Sequence, residues 1–114
     1  MTDTPEAPEA SARVTVSRND DRDVRHRQIY ARIDEAPAHT LLFGEGFTME
    51  VPPGDHRLRA NNTLFWKTVP FSAVPGEHVE FVLVNRAPRV ALGFLALFGA
   101  APLMLSIERR VVGG

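Results

Sequence analysis

Four histidines, His26, His39, His56 and His78, are the residues of this chain best suited by type to do chemistry. Imidazole binds metals and moves protons near neutral pH. Their spacings match neither the HExxH pattern of a metal-binding helix nor a zinc-finger pair. The chain has no cysteine to supply a thiolate ligand or a disulfide. His56 and His78 each follow a Pro-Gly turn by two residues, which predicts strand-start side chains at a solvated rim, near each other at one end of the fold. Asp34 with Glu35, and Asp55 with Glu77, are the candidate carboxylate pairs. Acid–base work needs one carboxyl of a pair desolvated, with its pKa raised, and turn positions are wet. Ser17, Ser72 and Ser106 stand in no nucleophile signature, and no glycine-rich phosphate loop is present. The expectation is a protein that is not an enzyme, with no catalytic residue, metal ligand or cofactor.

The remaining candidates are contact residues. Arg57, Arg59 and Lys67 are expected to point outward from strands and to meet acidic partners or lipid headgroups. The run Ser17 to His26, SRNDDRDVRH, reads as a solvated loop; Arg22, Arg25 and Arg27 are its alternative contact residues, facing lipid phosphates. Phe65, Trp66 and Phe71 cluster in one strand and are expected in the core. Their alternative place is a membrane interface, where an indole sits at headgroup depth. The terminal Val111-Val112-Gly113-Gly114 matches the double-glycine end of a modifier only in its last two residues.

These residues need elements to hold them. The chain has 114 residues and a net charge of -1, which bounds it to one domain with appendages and gives no reason to expect nucleic acid. The absence of disulfides in so small a domain leans towards a reducing compartment. Residues 1–12 are acidic and proline-bearing, without a basic or apolar region, and read as a disordered leader. Alternating apolar residues then mark short strands: Val14–Val16, Arg27–Asp34, His39–Phe43, Phe47–Val51, His56–Ala60, Leu64–Phe71 and His78–Asn85. Pro53-Gly54 and Pro75-Gly76 have the chemistry of type II turns. The expected fold is all-β: a small antiparallel Ig-like sandwich of six to seven strands over residues 13–86. His78–Asn85 is apolar on both faces, which places it centrally or beneath the C-terminal segment.

The strand IYARID, the turn VPPGDHRLRA and the closing VPGEHVEFVLV together resemble PEGA-type and carboxypeptidase-regulatory-like domains. Pro53, Gly54, His56, Gly76 and Glu77 carry the match, over about Arg27 to Val84. Glu35 stands where such domains usually have glycine. The resemblance implies a small extracytoplasmic or membrane-linked module with a structural or interaction role and no active site.

Val90 to Ile107 holds 18 residues without a charge. As a helix they would span about 27 Å, close to the roughly 30 Å of a hydrocarbon core. They lack the polar stripe of a surface helix. The expectation is a transmembrane helix at 90–107 with a short tail at 108–114. It makes a single-pass membrane protein with its head in the cytoplasm, the bilayer and an unknown protein being its partners. A helix packed on the head, or a hairpin of Val90–Phe98 with Leu103–Val112, are the competing readings. The function expected is that of a membrane-anchored β-sandwich interaction module. The alternative is a soluble interaction protein whose apolar C-terminus packs in a homo-oligomer or larger complex.

Overall fold

The computed structural model describes residues 10–25, 27–86 and 104–110. Among the described residues turn chemistry sets off eight strands. They are β1 (Ala12–Ser17), β2 (Ile29–Ile33), β3 (His39–Leu41), β4 (Gly46–Val51), β5 (Gly54–Asn61), β6 (Trp66–Ala73), β7 (His78–Arg86) and β8 (Met104–Arg110). The Val74–Glu77 turn shows how. Pro75 presets one backbone angle, Gly76 takes φ +79°, and the Glu77 amide donates to the Val74 carbonyl at 3.0 Å. This is the hydrogen-bonded turn that positive φ at the third position allows.

The strands form two four-stranded sheets, A in the order β4-β1-β7-β8 and B in the order β3-β2-β5-β6. All pairings are antiparallel except that of β1 with β7, which are parallel from Arg13↔His78 to Ser17↔Val82. Alternation along each strand sends one set of side chains between the sheets. Val14, Val16, Val79, Phe81, Leu83 and Leu105 of sheet A meet Ile29, Ala31, Ile33, Leu58, Ala60 and Phe71 of sheet B. Phe71 and Phe81 join the layers edge to face, their centroids 5.1 Å apart. The β-sandwich is therefore as expected in class, and β7 lies between β1 and β8 in its sheet.

The C-terminal segment differs from expectation. Met104–Ile107, the last four residues assigned to a transmembrane helix, are strand, and Glu108–Arg110 continue it. Leu105 is fully buried against the core. Leu105 and Ile107 alternate with Ser106 and Glu108, which suits an edge strand with one buried face. The second arm of the competing hairpin thus exists, but its partner is β7, in register from Glu80↔Arg110 to Arg86↔Met104. Val90–Leu103 lie outside the described residues, as do residues 1–9 of the expected 1–12 leader, His26 and the Val111–Gly114 end; Ala12, its last residue, instead opens β1 and is buried. Among the described residues no helix is long and apolar enough to cross a membrane.

Candidate functional site

The registers place Ser17, Gly46, Arg86 and Met104 at one end of sheet A and Ile29, Leu41, Asn61 and Trp66 at the corresponding end of sheet B. The β1–β2, β3–β4 and β5–β6 connections and the end of β7 converge there. A buried polar network holds them together. Arg18, 1 % exposed, grips Asp23 with both ends of its guanidinium fork, Nε to Oδ2 at 2.9 Å and Nη2 to Oδ1 at 3.1 Å. Its Nη1 donates to the carbonyls of Arg27 at 2.6 Å and Leu41 at 2.8 Å. Asp23 also accepts the backbone amides of Arg25 and Asn85. Buried Asn62 donates to the Asn85 side chain at 3.0 Å and accepts the amides of Leu64 and Phe65. A buried charge persists only when paired and hydrogen-bonded, and both conditions hold here. The SRNDDRDVRH run is therefore not a wholly solvated loop, because its first Arg and third Asp are buried keystones.

This network presents an apolar end surface. Leu42, Leu64, Phe65, Trp66 and Met104 are its exposed large apolar side chains, and Trp66 is 68 % exposed. Of Phe65, Trp66 and Phe71, the core expectation thus holds for Phe71 alone. The Arg25 guanidinium lies 4.1 Å over the ring of Phe43. Arg27 donates to the Thr63 hydroxyl at 2.6 Å. Arg22 is instead occupied by Asp20 and Glu108; hydrogen bonding to Arg22 holds the Asp20 carboxyl well below the usual range. Arg25, Arg27 and Thr63 take φ of +64°, +64° and +74°, conformations unfavourable for side-chain-bearing residues and most so for β-branched Thr63. Asp34, beyond the far end of β2, takes φ +49° as well.

The outer face of sheet B adjoins this end. Arg32, Arg57 and Arg59 all reach Glu35, at 3.4, 3.3 and 2.8 Å. Arg32 Nε and Arg59 Nη2 also donate to the Asp34 carbonyl. Tyr30, Arg32, Arg59, Asn61, Trp66 and Lys67 line an open trough of about 240 Å³. Of the expected contact residues, Arg57 and Arg59 share this face. Lys67 pairs with Ala60 at an inner-face register position; it is nevertheless exposed, because β6 is an edge strand, and it borders the trough. Glu35 was a sequence candidate only as a carboxylate partner of Asp34, and Arg32 was not singled out, although it alternates with Tyr30 on the outward side of its strand.

The opposite end carries His56, His78 and the carboxylate candidates, while His39 stacks on Phe47 with centroids 3.8 Å apart. His56 is buried and places Nδ1 2.6 Å from Asp34 Oδ2 and Nε2 2.6 Å from the Pro52 carbonyl. Both partners are acceptors, so both nitrogens must donate, which requires the imidazolium. Burial opposes the His56 charge, but the bonds to Asp34 and Pro52 outweigh it and raise the pKa. Burial likewise opposes the Asp34 charge, and the bonds from His56 and the Arg57 amide outweigh it and lower the pKa. His56 is thus a structural ion-pair partner rather than a solvated-rim histidine. Ser72 donates to Asp55 at 2.5 Å, while His56 has no nitrogen left to take its proton. His78 Nε2 lies 2.7 Å from the Thr15 hydroxyl. Glu77 accepts the Val74 amide and Arg109. Among the described residues no group of three or more His, Asp or Glu side chains is arranged to hold a metal. No protein-family model, no curated protein and no solved structure matches the chain.

Proposed function

We propose that this protein is a membrane-anchored β-sandwich interaction module that seats its apolar loop end on a lipid bilayer. One observation carries the reading. The sequence of residues 87–103, APRVALGFLALFGAAPL, leaves β7 at Arg86 and enters β8 at Met104. Those two residues are paired neighbours at the end where Leu42, Leu64, Phe65 and Trp66 are exposed. The most apolar stretch of the chain is thus tied at both ends to its most apolar surface. Transfer of the exposed parts of the five side chains to an interface contributes about 1 kcal/mol each. That suffices for reversible binding, and the apolar sequence at 90–103 supplies the rest of the anchor. Arg25, Arg27 and Arg86 add about 1 kcal/mol each against an anionic surface.

Flotation of the full chain with phosphatidylcholine–phosphatidylserine vesicles tests this. The protein is expected to float with the lipid, and Leu64→Ser with Phe65→Ser is expected to weaken binding about thirtyfold, the loss of two such contributions. A chain that stays in the dense fraction as a concentration-dependent oligomer would instead favour the self-associating soluble alternative.

A further inference from the structure

We propose that the trough on the outer face of sheet B binds the phosphate monoester headgroup of an acidic membrane lipid. This rests on the membrane-seating reading, since Trp66 belongs both to the apolar end and to the rim of the trough. When the end surface meets the bilayer, the trough comes to headgroup depth. Its charge fits the ligand. Arg32, Arg59 and Lys67 contribute three positive charges and Glu35 one negative, leaving two to meet the roughly -1.5 to -2 of a phosphate monoester.

Its donors fit as well. Guanidinium groups bind phosphate oxygens through paired N–H bonds. Arg59 Nε is buried and has no acceptor. The Lys67 side chain makes no hydrogen bond or ion pair among the described residues. Arg32 and Arg59 are already oriented by the Asp34 carbonyl, which lowers the ordering cost of binding. Glu35, 73 % exposed, occupies the arginines in the absence of ligand, as a carboxylate that an incoming phosphate can displace.

The experiment compares binding of the full chain to phosphatidylcholine vesicles carrying phosphatidic acid, a monoester, or phosphatidylserine, a diester, at matched surface charge. Phosphatidic acid is expected to bind about tenfold tighter, the gain of one strong charge-assisted contact. Arg59→Gln with Lys67→Gln should remove that preference, so that the two lipids bind alike, with any loss of about 1 kcal/mol per charge shared by both. Glu35→Gln should tighten phosphatidic acid binding by about threefold, as one weak competing ion pair is lost. A gain of that kind cannot come from damage to the fold. Equal affinity for the two lipids, or a preference that survives Arg59→Gln with Lys67→Gln, overturns the trough while leaving the seating reading intact. If no vesicle binds, the seating reading fails. Binding of glycerol 3-phosphate alone, abolished by the double variant, would then assign the trough to a soluble phosphate and overturn the lipid.

Discussion

At the residue scale the loop end depends on one ion pair. Asp23→Ala leaves the buried Arg18 guanidinium without its carboxylate, and is expected to cost about 3–5 kcal/mol. Replacing both with apolar residues, as Arg18→Met with Asp23→Leu, should cost less than Asp23→Ala alone; urea denaturation of the variants measures both. No sequence signal marked Arg18 and Asp23. In a run of ten residues that are polar but for Val24, burial is decided by the carbonyls of Arg27 and Leu41 and the amide of Asn85, which tertiary structure brings to them. The Asn61-Asn62 turn was legible, yet its left-handed residue is Thr63, because Asn62 is committed to Asn85 and to two amides. His56 sets a pH dependence at the opposite end. Its folded pKa is raised above the ordinary 6.5, so its contribution is complete below that value and is lost as pH rises through the raised pKa. The Asp34 pKa is lowered from 3.8, so its contribution is complete above 3.8 and is lost as pH falls through the lowered pKa. Stability should therefore plateau between about pH 4 and 6.5. His56→Gln should flatten the alkaline limb of a stability–pH series.

At the element scale the strands were legible where alternation and Pro-Gly turns coincide. The Leu58/Ala60 inward and Arg57/Arg59 outward pattern of β5 stands as read. β6 does not stop at Pro70 but runs on to Ala73, since an edge strand tolerates a missing amide. β8 was hidden for a physical reason. Hydropathy over 18 residues averages away the period-2 pattern of Leu105-Ser106-Ile107-Glu108, and the partner strand begins 26 residues upstream of it. The parallel β1–β7 pair was likewise beyond local pattern, because residues more than 60 apart form it. Leu105→Ala is expected to destabilise the fold by about 2–5 kcal/mol through the cavity it leaves. Amide hydrogen exchange should show Met104–Arg110 protected together with β7 without detergent, and Leu105→Asp should release that protection selectively.

At the scale of the whole molecule, the sandwich sorts its chemistry by end. The His56–Asp34 ion pair and Asp55 lie at one end, apolar tips with arginines at the other. Arg86 and Met104, which flank the sequence 87–103, are paired neighbours in sheet A, whose two edges are β4 and β8. In the seating account β4 and β8 therefore lie on one side of the bilayer. The chain has no cysteine, so Glu50→Cys and Arg110→Cys report sidedness cleanly. An impermeant maleimide should label both from the same side of reconstituted vesicles, whereas labelling from opposite sides would restore a single-pass arrangement. The most direct test of bilayer seating uses Trp66, the sole tryptophan, which projects from the loop end. On anionic vesicles its emission should shift to the blue and be quenched by lipids brominated near the top of the acyl chain. Emission unchanged by vesicles that bind the protein would contradict the account.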